Sequence, residues 1–78
     1  MVQDRIGQVF ERKTAWGCTY QCVIMGIEKA GDIVDDDSYY GICTTIFKDG
    51  TKTVNNHWLY SIDEFEYRIK QGVYTQIN

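Results

Sequence analysis

The sequence contains no proline, only one histidine and only one pair of adjacent basic residues, Arg12-Lys13. The missing proline excludes polyproline ligand segments and proline-rich linkers. The scattered lysines and arginines lack the basic stripe with which nucleic-acid binders neutralise phosphates, so phosphate recognition is not expected. The longest uninterrupted apolar run is Val23-Ile24-Met25-Gly26-Ile27. A bilayer span needs about 20 such residues, so no membrane helix is expected. Met1-Val2-Gln3-Asp4-Arg5 carries neither a basic n-region nor an apolar h-region, which predicts a cytoplasmic chain without a secretory signal. There is no internal repeat and no low-complexity tract. A P-loop, a dinucleotide-binding glycine pattern and a metalloprotease helix motif are all missing.

What remains is a chain of 78 residues, 14% aromatic and with a net charge of −3. This length supports one domain, residues 1–78, that buries about 60–65% of the surface its unfolded chain exposes. A closed, multi-part catalytic pocket is hard to house in so small a body. The acidic balance suits a protein partner with a basic surface.

Period-2 alternation marks strands over Gly7 to Lys13, Thr19 to Lys29, Tyr39 to Phe47 and Thr51 to about Asn55. The second is apolar on both faces, which predicts a bend or bulge at Gly26. Asp49-Gly50 between two strand-like runs predicts a hairpin with a type I′ turn. Ala30 to Ser38 reads as an acidic loop. The period then changes. Ser61 and Glu64 have capping-box spacing, with Tyr60 and Phe65 placed as a hydrophobic staple. Ile62, Phe65 and Ile69 form an apolar stripe, and Gly72 stands where a left-handed residue closes a helix. These signals predict a helix over 62–70, followed by a short strand from Val73 to Ile77.

The order β-β-β-β-α-β is mainly β with one short helix, and predicts a small, partly open antiparallel barrel. In architecture it resembles the Src-homology-3-type barrel over residues 6 to 77, with the helical turn before the fifth strand lengthened. The resemblance is one of architecture and carries no family motif. In size and lack of catalytic motifs the chain also resembles small accessory proteins of phages and mobile elements.

The candidates for chemistry are few. Cys18, Cys22, Cys43 and His57 are zinc-ligand types, but they lack the close pairs of a zinc knuckle. Cys22 and Cys43 instead read as small buried residues within strands. Three cysteines cannot all pair within one chain, and reduced thiols are expected. Paired carboxylates such as Asp63 and Glu64 do not converge on a helix. No metal, cofactor or catalytic residue is expected.

The readings that survive concern binding. Asp35, Asp36 and Asp37 form an acidic run beside Tyr39 and Tyr40, and Trp16 and Trp58 stand at element junctions. Charge for steering beside aromatic anchors points to a non-enzymatic protein-interaction module, a monomer or small homo-oligomer. An inhibitor of a host defence or nucleic-acid-handling protein is one such role. The alternatives are a small barrel that stacks nucleic-acid bases and an oligomeric binder of a small ligand.

Overall fold

A computed structural model describes residues 5–78; Met1 to Asp4, read above for a signal, lie outside the described residues. Among the described residues five strands and one helix follow the expected order: β1 Val9–Lys13, β2 Thr19–Glu28, β3 Ser38–Ile46, β4 Lys52–Ser61, α1 Ile62–Lys70 and β5 Thr75–Gln76. All neighbouring strands are antiparallel, in the spatial order β4-β3-β2-β1-β5. β5 pairs with β1 and not with β4, so the sheet is unclosed and, among the described residues, β4 keeps a free edge. Among the described residues, no helix is long and apolar enough to cross a membrane.

Two bulges explain the mixed faces of the central strands. Between β2 and β3 the register slips between Ile24 and Gly26. The extra residue reverses side-chain parity, so Ile27 packs with the core beside Tyr20, Cys22 and Ile24. The bend expected at Gly26 is present, and the ring of Tyr40 lies over that glycine. Between β3 and β4 a second slip falls between Gly41 and Cys43. A Cβ on Gly41 would stand 1.8 Å from the Val23 carbonyl oxygen, so only glycine lets β2 and β3 approach this closely.

The core lies on one face. Phe10, Cys22, Ile24, Tyr39, Cys43 and Trp58 meet Ile62 and Phe65 of the helix, and Tyr74 before β5. Phe65 is the hub. Its ring centroid is 5.3 Å from Phe10, 5.7 Å from Tyr39, 5.5 Å from Trp58, 5.1 Å from Tyr60 and 4.7 Å from Tyr74. Four of these contacts are edge-on, the geometry that aromatic quadrupoles favour.

The helix spans the expected residues but starts differently. Ser61 makes no side-chain cap hydrogen bond, and Glu64 pairs with Arg68 instead. β4 runs directly into the helix, so Ser61 is still held in the ladder opposite Ser38. The Ile62 amide donates to the Asp37 carbonyl at 3.0 Å. The Tyr60–Phe65 staple does form. At the other end the Gly72 amide donates to Ile69 and the Val73 amide to Arg68, a Schellman closure with Gly72 at φ 80°.

Two further expectations are corrected. β4 continues to Ser61 rather than ending near Asn55. The Asp49-Gly50 hairpin is not type I′, because only Gly50 has positive φ. Its amide donates to Phe47, and Asp49 accepts from the Thr51 amide and hydroxyl. This is the type I turn with a glycine bulge, which also satisfies strand twist.

Candidate functional site

The helix covers only part of the core face. The remainder is an open cleft of about 430 Å³, lined by Arg12, Trp16, Tyr20, Cys43, Thr45, Asn55, Trp58 and Tyr74. Pairing across the sheet assembles it. Tyr20 stands opposite Arg12 on one side and Thr45 on the other, and Asn55 stands opposite Cys43. Trp16 enters from the β1–β2 turn. The Gly17 amide donates to the Thr14 carbonyl, and Thr14 closes on Cys18 through backbone and hydroxyl. These bonds fix the turn and leave Trp16 at its tip, 67% exposed.

The guanidinium of Arg12 lies 5.9 Å from the centre of the Tyr74 ring. Burial pushes the Tyr74 phenol up to about 12, so it stays neutral at physiological pH. Among the described residues no carboxylate lines the cleft, and none pairs with Arg12. Lys13 and Lys52 lie in the next row, with Thr19 and Ile46, so strand alternation turns them to the opposite face, where Lys13 Nζ lies 3.8 Å from Glu11 Oε1. Lys48 packs against the Trp16-Gly17 turn. Arg12 and Lys48 therefore put positive charge beside the cleft although the whole chain is acidic. At the floor, the buried Cys22 and Cys43 stand directly opposite on neighbouring strands, Sγ to Sγ 2.9 Å apart.

The residues singled out in the sequence separate into four places. Trp16 and Trp58 share the cleft, although Trp58 is largely buried. Tyr39 is a correction: it is completely buried, so no partner can reach it. Its hydroxyl donates to Glu66 Oε2 at 2.8 Å, and Arg5 holds the same carboxylate through two nitrogens at 3.1 and 3.0 Å. Burial pushes the Tyr39 phenol up, and its bond to Glu66 adds to the shift. Tyr40, next in the chain, points the other way. It is exposed on the outer face, beside Leu59 and His57 around a shallow recess of about 200 Å³.

Asp35, Asp36 and Asp37 are exposed in the β2–β3 loop. Asp37 braces that loop rather than pointing to a partner. Its carboxylate accepts from the Ala30 amide at 2.8 Å and from Lys29 Nζ at 3.3 Å. The Ala30 bond, followed by that of Lys29, holds its pKa below the usual aspartate value. The loop also lies at the far end of the sheet from Trp16. β2 separates them by ten residues, about 30 Å at strand rise. The acidic run and Trp16 therefore do not form one continuous surface. Arg12 and Tyr20 were not singled out in the sequence, since only the strand register brings them beside the tryptophans. Against known proteins, no family model, curated sequence or solved structure matches the chain.

Proposed function

We propose that the protein is a non-enzymatic protein-interaction module whose working surface is the aromatic cleft. The observation that carries this reading is Trp16, held at a turn tip and two-thirds exposed beside an open, aromatic-walled cleft. A large apolar ring kept in water by a braced turn gains free energy only when a partner covers it. Arg12, with Lys48 beside the Trp16-Gly17 turn, suits a partner segment that carries negative charge beside an apolar side chain. Asp35 and Asp36, at the opposite end, suit a basic patch elsewhere on the same partner and act by steering. Inhibition of a host defence or nucleic-acid-handling protein, as by small proteins of phages and mobile elements, is a role of this kind. It requires a binding surface and no catalytic group.

The test is affinity capture from extract of the source cells with wild-type, Trp16→Ala and Asp35→Asn/Asp36→Asn proteins. Loss of an anchor tryptophan costs roughly 2 kcal/mol or more, a drop of about thirtyfold in affinity. The expected result is a protein retained by the wild type, lost with Trp16→Ala, and bound more slowly by the aspartate variant at low salt only. Equal capture by Trp16→Ala would move the contact away from the cleft.

Arg12 and Lys48 near Trp16 favour a second reading, a single-stranded nucleic acid stacking on Trp16. Filter binding across a salt series separates the two. Phosphate contacts give an affinity that falls steeply with salt, whereas the protein-module reading expects no retention of nucleic acid.

A further inference from the structure

We propose that Cys22 and Cys43 form an oxidisable dithiol, which a peroxide entering through the cleft converts into a disulfide across the two central strands. The pair stands directly opposite in register, with the two sulfurs in contact at 2.9 Å. Opposed residues in an antiparallel ladder have Cα atoms roughly 4.5–5.5 Å apart, within the roughly 4.4–6.8 Å that disulfides span. No strand has to move for the bond to close. Cys43 lines the cleft and is 8% exposed, whereas Cys22 is fully buried behind it. A small oxidant therefore reaches Cys43 first. The Cys22 thiol donates its hydrogen bond to the Cys43 sulfur, which lowers the pKa of Cys43, while the same bond and burial raise that of Cys22. A thiolate is the nucleophile in such chemistry, so acidity and access agree on Cys43.

The steps balance. The Cys43 sulfur attacks one oxygen of hydrogen peroxide. The S–O bond forms, the O–O bond breaks, and the departing hydroxide leaves as water with the Cys43 thiol proton. Cys43 is then a sulfenic acid. The Cys22 sulfur attacks it, the S–S bond forms, the S–O bond breaks, and a second water carries away the Cys22 proton. Two thiols lose two electrons in total, and one peroxide becomes two waters. Cys18 sits half-buried in the β1–β2 turn and takes no part. The inference rests on the cysteine pair alone and not on the identity of any partner.

The experiment exposes the full chain, purified reduced, to hydrogen peroxide. It is then unfolded, alkylated, and read by intact mass and peptide mapping. The expected product has lost two hydrogen atoms, alkylates only at Cys18, and yields one linked peptide joining Cys22 to Cys43. Dithiothreitol restores all three alkylatable thiols. The oxidised chain should melt several degrees higher than the reduced one, because the link removes freedom from the unfolded chain. Cys18→Ser should behave identically, and Cys22→Ser should accumulate a Cys43 sulfenic acid trapped by a dimedone probe. Three alkylatable thiols after peroxide, or links through Cys18 alone, would overturn the proposal. Mapping of the wild type decides it even where Cys22→Ser fails to fold.

Discussion

At the scale of single residues, stability concentrates on Phe65. Its ring meets five others, drawn from β1, β3, β4 and the segment before β5. Truncation removes the burial of the ring and leaves a cavity that rigid aromatic neighbours cannot fill. We expect Phe65→Ala to cost about 3–5 kcal/mol, most of the stability of a domain this small, as read by urea unfolding. A cost below about 1 kcal/mol would mean that the neighbouring rings collapse into the space. The sequence marked Phe65 as core through its helical spacing, and placed Trp16 and Trp58 alike at element junctions, though only Trp16 is exposed. It could not separate Tyr39 from Tyr40. Adjacent tyrosines in a strand are chemically alike, and only the register decides which one faces the helix. Here the inward one is bonded to Glu66 and the outward one covers Gly26.

At the scale of elements, the helix was legible because its signals are local. Apolar spacing, acidic first turn, basic last turn and closing glycine all lie within about a dozen residues. The capping box failed for a reason outside that window. β4 runs straight into the helix and holds Ser61 in the β3 ladder, so its hydroxyl is not turned onto the helix amides. The length of β4 was hidden by the polar stretch Asn55-Asn56-His57, where the bulge breaks the alternation and Asn55 accepts from the His57 amide. The two helix ends should therefore respond unequally. Ser61→Ala should change stability by less than about 0.5 kcal/mol, because no cap bond is lost. Gly72→Ala should cost about 1 kcal/mol, because alanine must adopt positive φ to keep the Schellman bonds. Paired thermal melts check both, and a larger loss for Ser61→Ala would restore the capping box. The cleft was not legible at this scale. Its lining comes from four strands, a turn and the segment before β5, and no short window contains it.

At the scale of the whole molecule, charge sets the pH response. Burial alone would raise the pKa of Glu66, but the bonds from Arg5 and Tyr39, with the Arg5 charge, outweigh it and hold it below its ordinary 4.5. A carboxylate with a depressed folded-state pKa contributes stability above its unfolded value and loses it as pH falls through the folded value. Asp37 and Asp49 shift in the same direction at exposed sites, Asp37 through its Ala30 and Lys29 bonds and Asp49 through its bonds to Thr51. The fold should therefore weaken on acidification below the carboxylate range. Glu66→Gln should cost about 1–2 kcal/mol at neutral pH, after allowance for partial exposure of the pair. Its deficit against the wild type should narrow at a second, acidic pH, as the wild-type carboxylate in turn becomes protonated. Urea midpoints at the two pH values measure this, and an equal deficit at both would show that Glu66 does not titrate with folding. The position of Phe65 also bears on time. Each hairpin of the meander closes a short loop, whereas Phe65 gathers rings from strands spread along most of the chain. Loop-closure entropy places such long-range contacts late. Interactions formed after the barrier leave the rate of reaching the native state nearly unchanged and govern escape from it. The aromatic hub should thus act as a latch, one that sets how long each folded molecule persists more than how quickly it is made.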